Sequence, residues 1–313
     1  MDLTEIFMPH YVGAVKAMVA RSGRFVHYTT AETATSILKN KQVWMRNAAL
    51  MNDYSEIEHG VGCINEALNG PNGKVFTNLL DSIKPGAFDS IREAHKKIIT
   101  FSKSETFLLC VSEHLNEEDE LGRLSMWRAY GGHSGIAIVM NMEAFFSPSD
   151  ALTVYSSPVV YADPLSFQFA FDQVVASVSK NIAYLKTLDA DVVMATVFRM
   201  MVFASLSIKH PGFAEEREWR LIKAPPFGNS SHIQKTIEVV RGIPQRVTKF
   251  KLEDIPAENL TGLDIPKLID RVIVGPTNHP YEIAQTMREL LYNAGVPNPI
   301  DRVVISSIPL RQF

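Results

Sequence analysis

The chain is poor in cysteine. Only Cys63 and Cys110 occur in 313 residues, too few for a disulfide framework. Both sit among apolar residues, so the expectation is two buried free thiols in a reducing compartment. No secretory leader is expected either. Residues 1–20 contain Asp2, Glu5 and Pro9 where a leader has a basic start and an unbroken apolar run. The most apolar stretch, residues 192–208, is interrupted by Arg199 and falls short of the roughly 20 apolar residues of a membrane span. It reads as a buried core helix, and the protein is expected to be cytoplasmic with no membrane partner. The net charge is only −3, so no bulk field draws the chain to nucleic acid. The sequence holds no GxGxxG or Walker-type loop, no HExxH and no GxSxG. The nearest phosphate-loop candidate, Gly131-Gly132-His133-Ser134-Gly135, precedes a strand instead of a helix. The nine histidines are scattered, and no metal site is expected.

What is present is a globular composition, 46% hydrophobic and 21% charged, long enough to bury a sizeable core. Hydrophobic periodicity predicts helices at 3–21, 31–40, 56–69, 75–103 (broken at 84–86), 124–130, a pair within 165–209, and 281–294. Strands are expected near 24–29, 43–46, 106–112, 136–141, 154–161, 218–223, 247–252, 270–274 and 302–307. Thr30 is placed to cap the helix after the first strand, and Asp189 or Asp191 to break the helical pair. Short strands alternating irregularly with helices favour an α+β domain over a doubly wound parallel sheet. A single domain over 1–313 is expected, its core from about 24 onward and a helical insert at about 165–209.

Four stretches could carry chemistry. In Phe25-Val26-His27-Tyr28-Thr29-Thr30, His27 and Thr29 face one way and Val26 and Tyr28 the other. The His/Thr face suits a ribose and a carboxamide, or a core strand with a satisfied histidine. In Trp44-Met45-Arg46-Asn47, Arg46 suits a diphosphate or a salt bridge to Asp53 or Glu56, and Asn52 and Asp53 suit loop-closing bonds. Trp127 and Tyr130, three apart, form an aromatic wall or core packing. In Glu215-Glu216-Arg217-Glu218-Trp219-Arg220, Glu216, Glu218 and Arg220 share a face if the strand begins by Glu216. Such a face is costly to bury unpaired, so it is either solvated or lines a site.

Together these stretches resemble a bacterial family known as domain of unknown function 2971. The resemblance rests on His27-Tyr28-Thr29 with Ile37-Leu38-Lys39-Asn40, on Met51-Asn52-Asp53-Tyr54-Ser55-Glu56, on Met126-Trp127 through Tyr130 with Gly135-Ile136, and on Glu216-Arg217-Glu218-Trp219-Arg220. It runs from about residue 24 to the C-terminus. The order of a His-Tyr-Thr strand, a helix, a Trp strand and a later Glu-x-Glu strand is also similar to the ADP-ribosyltransferase superfamily. The sequence departs from that pattern in having Trp44-Met45-Arg46-Asn47 where a Ser-Thr-Ser strand is expected.

That second resemblance implies a split mixed β-sheet core with flanking and inserted helices, and NAD as the ligand. It implies that Glu218 is the catalytic carboxylate and that Glu216 orients the acceptor. His27 would bond the adenosine-side ribose, with Tyr28, Thr29, Trp44, Arg46, Asn52, Trp127 and Tyr130 around NAD. The implied activity is ADP-ribosyl transfer to a nucleic-acid or protein acceptor, or NAD hydrolysis. That would suit a toxin or anti-phage effector with an antitoxin or defence partner. Two other readings compete: a nucleotide-binding sensor without chemistry, and a nuclease in which Asp53, Glu56, Glu216 and Glu218 hold Mg²⁺.

Overall fold

A computed structural model of the chain describes residues 2–50, 55–102, 104–240 and 242–310. Two helices open it, α1 (Leu3–Phe7) and α2 (Pro9–Ala20). They are separate where one was expected, because Pro9 cannot continue a hydrogen-bonded helix but can start one. Next come β1 (Arg24–Thr30), α3 (Ala31–Asn40) and β2 (Gln42–Asn47). Thr30 caps α3 as expected, accepting from the Thr33 amide at 3.3 Å. Three helices follow, α4 (Ser55–Asn69), α5 (Pro71–Asp81) and α6 (Ala87–Ser102). Then come β3 (Phe107–His114), α7 (Leu124–Tyr130), β4 (Gly135–Asn141), β5 (Tyr155–Pro158) and β6 (Val160–Tyr161). The helical pair is α8 (Pro164–Leu185) and α9 (Ala190–Ser207), with Asp189 as the cap between them. It leads through β7 (Ile208–Lys209) to β8 (Glu218–Lys223), β9 (Gln234–Val240) and β10 (Ile243–Lys251). The chain closes with α10 (Ile265–Leu268), β11 (Ile269–Val274), α11 (Pro280–Asn293) and β12 (Val303–Ile305).

The main sheet runs β12-β11-β4-β1-β3-β2-β10-β9, and β8 and β5 join it at β3. All its pairs are antiparallel except β11 with β12. The α+β expectation therefore holds, with a mostly antiparallel mixed sheet.

The sheet divides at β3. On one edge β8 pairs with Phe107–Ser112. The other edge is shared, β2 meeting Phe107 and Leu108, and β1 meeting Ser112, Glu113 and His114. Between those contacts neither ladder reaches β3. His27 bridges the gap, its Nδ1 lying 3.0 Å from the Cys110 carbonyl oxygen.

Strand alternation sends neighbouring side chains to opposite faces. Phe25, Val111 and Trp219 lie in the core under α3 and α11. On the other face, Leu108 and Ile222 pack with Ile57 of α4 and with Val202 and Leu206 of α9. Val26 and Tyr28 pack there with Met126 and Trp127 of α7. The helices on that side share a further core in which Phe76, Phe171, Val178 and Val197 are buried. Thus α8 and α9 belong to a layer of the fold. Ala190–Ser207 is the one helix among the described residues long and apolar enough to cross a membrane, and Val193, Val197 and Met201 bury into this layer.

Three local differences from the sequence reading bear on the site. Residues 154–161 form two strands, since β5 pairs β8 and the chain then leaves to pair β6 with β7. Residues 208–209 are extended and pair with β6, and the restriction that Pro211 places on His210 keeps the helix from resuming. The unforeseen β9 is an exposed hairpin arm, turned back onto β10 by Gly242 at φ 79°. Its apolar residues Ile237 and Val239 are exposed.

Candidate functional site

The Glu-x-Glu segment lies at the entry to β8. Glu216 ends a 3₁₀ turn, Pro211–Glu216, and Arg217 follows in the left-handed region at φ 47°. The strand begins only at Glu218, so strand alternation does not bring the two acids together. A lysine does. Lys209 Nζ lies 2.7 Å from Glu216 Oε2, 3.2 Å from Glu218 Oε2 and 2.9 Å from Glu56 Oε1 of α4.

Arg220, two residues along β8, completes the cluster. Its Nε donates to Glu218 Oε1 at 2.8 Å, its Nη1 to the Leu206 carbonyl at 2.7 Å, and its Nη2 to Glu56. Two tyrosines close it. Tyr130 donates to Glu216 Oε1 at 3.1 Å, and Tyr161 accepts from the Glu218 amide at 2.8 Å. Lys209, Glu218 and Arg220 are buried, whereas the Glu216 side chain retains 18% of its exposure. Phe213 lies over Lys209 with its ring 4.6 Å from Nζ and is itself exposed.

These neighbours fix the charges. Burial alone would raise the Glu218 carboxyl, but Arg220 and Lys209 outweigh it and hold it down at about 2. Burial alone would lower Lys209, but Glu218, Glu216 and Glu56 push it up. Tyr130 is raised by burial and by Glu216, so it stays a donor. Cys110, expected in an apolar setting, instead faces this cluster on β3 and bonds Glu218. Burial and that carboxylate push its thiol well up, which makes it a poor nucleophile.

The pH consequence follows from the Glu218 shift. A carboxyl near 4.5 when unfolded and near 2 when folded contributes stability that is complete above about 4.5 and is lost as pH falls toward 2. Acid unfolding should therefore steepen across that window, and Glu218→Gln should flatten it. A wild-type curve that is flat from pH 4.5 to 2.5 by circular dichroism would show that the pairing contributes nothing.

The other residues singled out in the sequence divide into two groups. Tyr28, Trp127 and Tyr130 lie on the face of the cluster. Trp127 is fully buried and donates from Nε1 to the Leu121 carbonyl at 2.9 Å, so it is a core residue and forms no wall for a ring. Tyr28 stacks edge-on against it, with centroids 4.8 Å apart, and its hydroxyl accepts from the Arg123 amide at 2.9 Å. Arg123 in turn donates to the carbonyls of Glu215 and Glu216, at 3.1 Å for Glu216. Tyr28 thus helps to position the turn that carries Glu216.

The second group lies elsewhere. His27 belongs to the opposite face of the sheet from Glu218, facing a cavity lined by Val43 and Val111. Buried Thr29 pairs with Ile136. Trp44 sits under Lys249, 4.1 Å from Nζ to the ring. Arg46 donates to the Leu50 carbonyl at 2.8 Å, while the Glu56 expected beside it is taken by Lys209 and Arg220. Asn52 and Asp53 lie outside the described residues.

The structure thus adds Lys209, Glu56, Arg220, Tyr161 and Arg123 to the site. Of these, the sequence places Arg220 on the face of the two acids, and Glu56 with them only in the nuclease reading. Lys209 left one signal, as the single cation closing the apolar run at 192–208 before His210-Pro211. Its ammonium also occupies the centre of the three carboxylates, where the nuclease reading needs a divalent ion. Among the described residues no group of His, Cys, Asp and Glu is arranged to hold a metal.

Residues 126–221 match a family described as Protein of unknown function (DUF2971). The matched stretch holds Tyr130, Tyr161, Lys209, Glu216, Glu218 and Arg220, and it excludes His27, Trp44, Asn52 and Glu56. No curated protein and no solved structure matches the chain.

Proposed function

We propose that the chain is an NAD-dependent ADP-ribosyltransferase or NAD glycohydrolase in which Glu216 is the carboxylate presented to the substrate ribose. The observation that carries this reading is the charge balance of the cluster. Three carboxylates (Glu56, Glu216 and Glu218) stand against two cations (Lys209 and Arg220), and the excess negative charge reaches the surface at Glu216. When the bond from nicotinamide nitrogen to ribose C1′ breaks, its electron pair leaves with nicotinamide and positive charge develops on the ribose. A fixed carboxylate stabilises that charge.

The role given by resemblance to Glu218 passes to Glu216, because Glu218 is buried between Arg220 and Lys209 whereas the Glu216 side chain reaches solvent. Those two cations are likewise engaged, so the NAD diphosphate would lie outside the cluster. The acceptor would be a nucleic acid or a protein, as suits a toxin or anti-phage effector.

The test is release of free nicotinamide from NAD, measured by chromatography, with bacterial nucleic acid and lysate protein offered as acceptors. Glu216→Gln should lower the rate roughly 10²–10³-fold, the usual effect of losing one preorganised electrostatic group. A second reading, binding of a nucleotide without cleavage, is favoured by the saturation of Glu218. Saturable NAD binding with no nicotinamide release would select it, and the absence of both would remove the two readings together.

A further inference from the structure

On the face of the sheet away from the charged cluster, a cavity of about 260 Å³ lies beneath the fork between β1 and β2. Its walls are largely aliphatic and aromatic, among them Ile37, Val43, Leu109, Ile138 and Phe250, and among the described residues no Lys, Arg, Asp or Glu lines it. It is larger than the roughly 150 Å³ apolar cavity known to accept benzene in another protein.

The polar groups on the wall are nearly all spoken for. Tyr155 donates to Asp150 at 2.7 Å, Ser156 to the Phe145 carbonyl at 2.6 Å and Ser149 to the Glu258 carbonyl at 2.6 Å. Ser147 donates to the Asn259 carbonyl at 3.1 Å. Tyr11 bonds Ser156.

His27 is the exception. A carbonyl oxygen can only accept, so the bond to Cys110 places the ring proton on Nδ1. Nε2 is then a bare acceptor on a ring that lines the cavity. Burial lowers the pKa of the imidazole, which keeps it neutral.

We propose that this cavity is a binding site for a neutral, mainly apolar molecule of one or two rings bearing a single N–H or O–H donor, which bonds His27 Nε2. Phosphates and carboxylates do not belong here, because the apolar wall offers no partner for their charge. The site is therefore separate from any NAD site at Glu216.

Two probes of nearly one shape test it on the full chain. Indole carries one N–H, and indene has a CH₂ in its place. Titration calorimetry should show saturable indole binding and roughly fivefold weaker indene binding, the size of one net hydrogen bond. In His27→Phe the two affinities should converge. Ala144→Phe, which fills the cavity from its wall, should remove both and serves as a second variant if His27→Phe does not fold. Absence of saturable binding by either probe at millimolar concentration overturns the proposal. So does equal binding of the two probes by the wild-type chain. Neither outcome touches the nicotinamide-release assay.

Discussion

Replacing Arg220 with alanine should destabilise the protein by about 3–5 kcal/mol, the usual effect of removing one partner from a buried charge pair. The side chain is 3% exposed and bonds Glu218, Glu56 and the Leu206 carbonyl together. Without it, three carboxylates, Glu56, Glu216 and Glu218, share the single ammonium of Lys209, and a carbonyl at the end of α9 loses its donor. Burying those acids without their counter-ion is what makes the loss large; the attraction in the intact pair is mostly offset by desolvation. Arg220→Lys keeps the charge but cannot bond three groups from one planar fork, so it should recover only part of the loss. Urea unfolding followed by tryptophan fluorescence reads the effect directly. A loss below about 1 kcal/mol would place the cluster in the class of solvated surface pairs and would remove the basis for a preorganised site.

Trp127→Ala should cost a similar amount, about 3–5 kcal/mol for truncating a large buried aromatic. The indole occupies a slot that glycines keep open. A Cβ added at Gly122, Gly135 or Gly275 would come within 2.6, 2.9 and 2.7 Å of the ring. Gly275→Ala should therefore destabilise too, by the roughly 1–3 kcal/mol of overpacking. The comparison separates a core residue from a ligand wall. Core packing predicts a large drop in unfolding free energy. A ligand wall predicts an unchanged stability with weakened ligand binding, and that result would sink the core assignment. Because Trp127 supports Tyr28, and Tyr28 holds the Arg123 amide, its loss should also loosen the Glu216 turn.

Much of the architecture was legible in the sequence because it is written in short-range chemistry. The helix over 124–130 and the strand over 218–223 appear with those bounds. Thr30 caps α3 and Asp189 caps α9. Period and capping depend on neighbours a few residues apart, which a sequence displays. The segment 208–209 and the arm β9 were missed for the converse reason. One is extended because a distant strand, β6, pairs with it, and the other is an exposed arm held only by its pairing with β10.

The candidate site was legible only in part. Glu216, Glu218 and Tyr130 were identified, and they meet. His27, Thr29, Trp44 and Arg46 were grouped with them by resemblance, and the structure holds them apart. His27 and Glu218 sit on strands both paired to β3, yet register places them on opposite faces. Alternation within β1 could be read, but the face of β1 that coincides with the Glu218 face of β8 could not.

The sequence by itself determined the type of most main elements, the α+β class, the caps and the gathering of acids at 216–218. Those rest on local backbone preference and hydrophobic period. Only the tertiary structure decided that Lys209 and Glu56 would meet those acids, that Trp127 would be core, and that His27 would face an apolar cavity. Ion pairing and burial act through space between residues far apart in sequence, such as Glu56 and Arg220 at 164 positions, and strand register, not sequence proximity, sets which of them share a face.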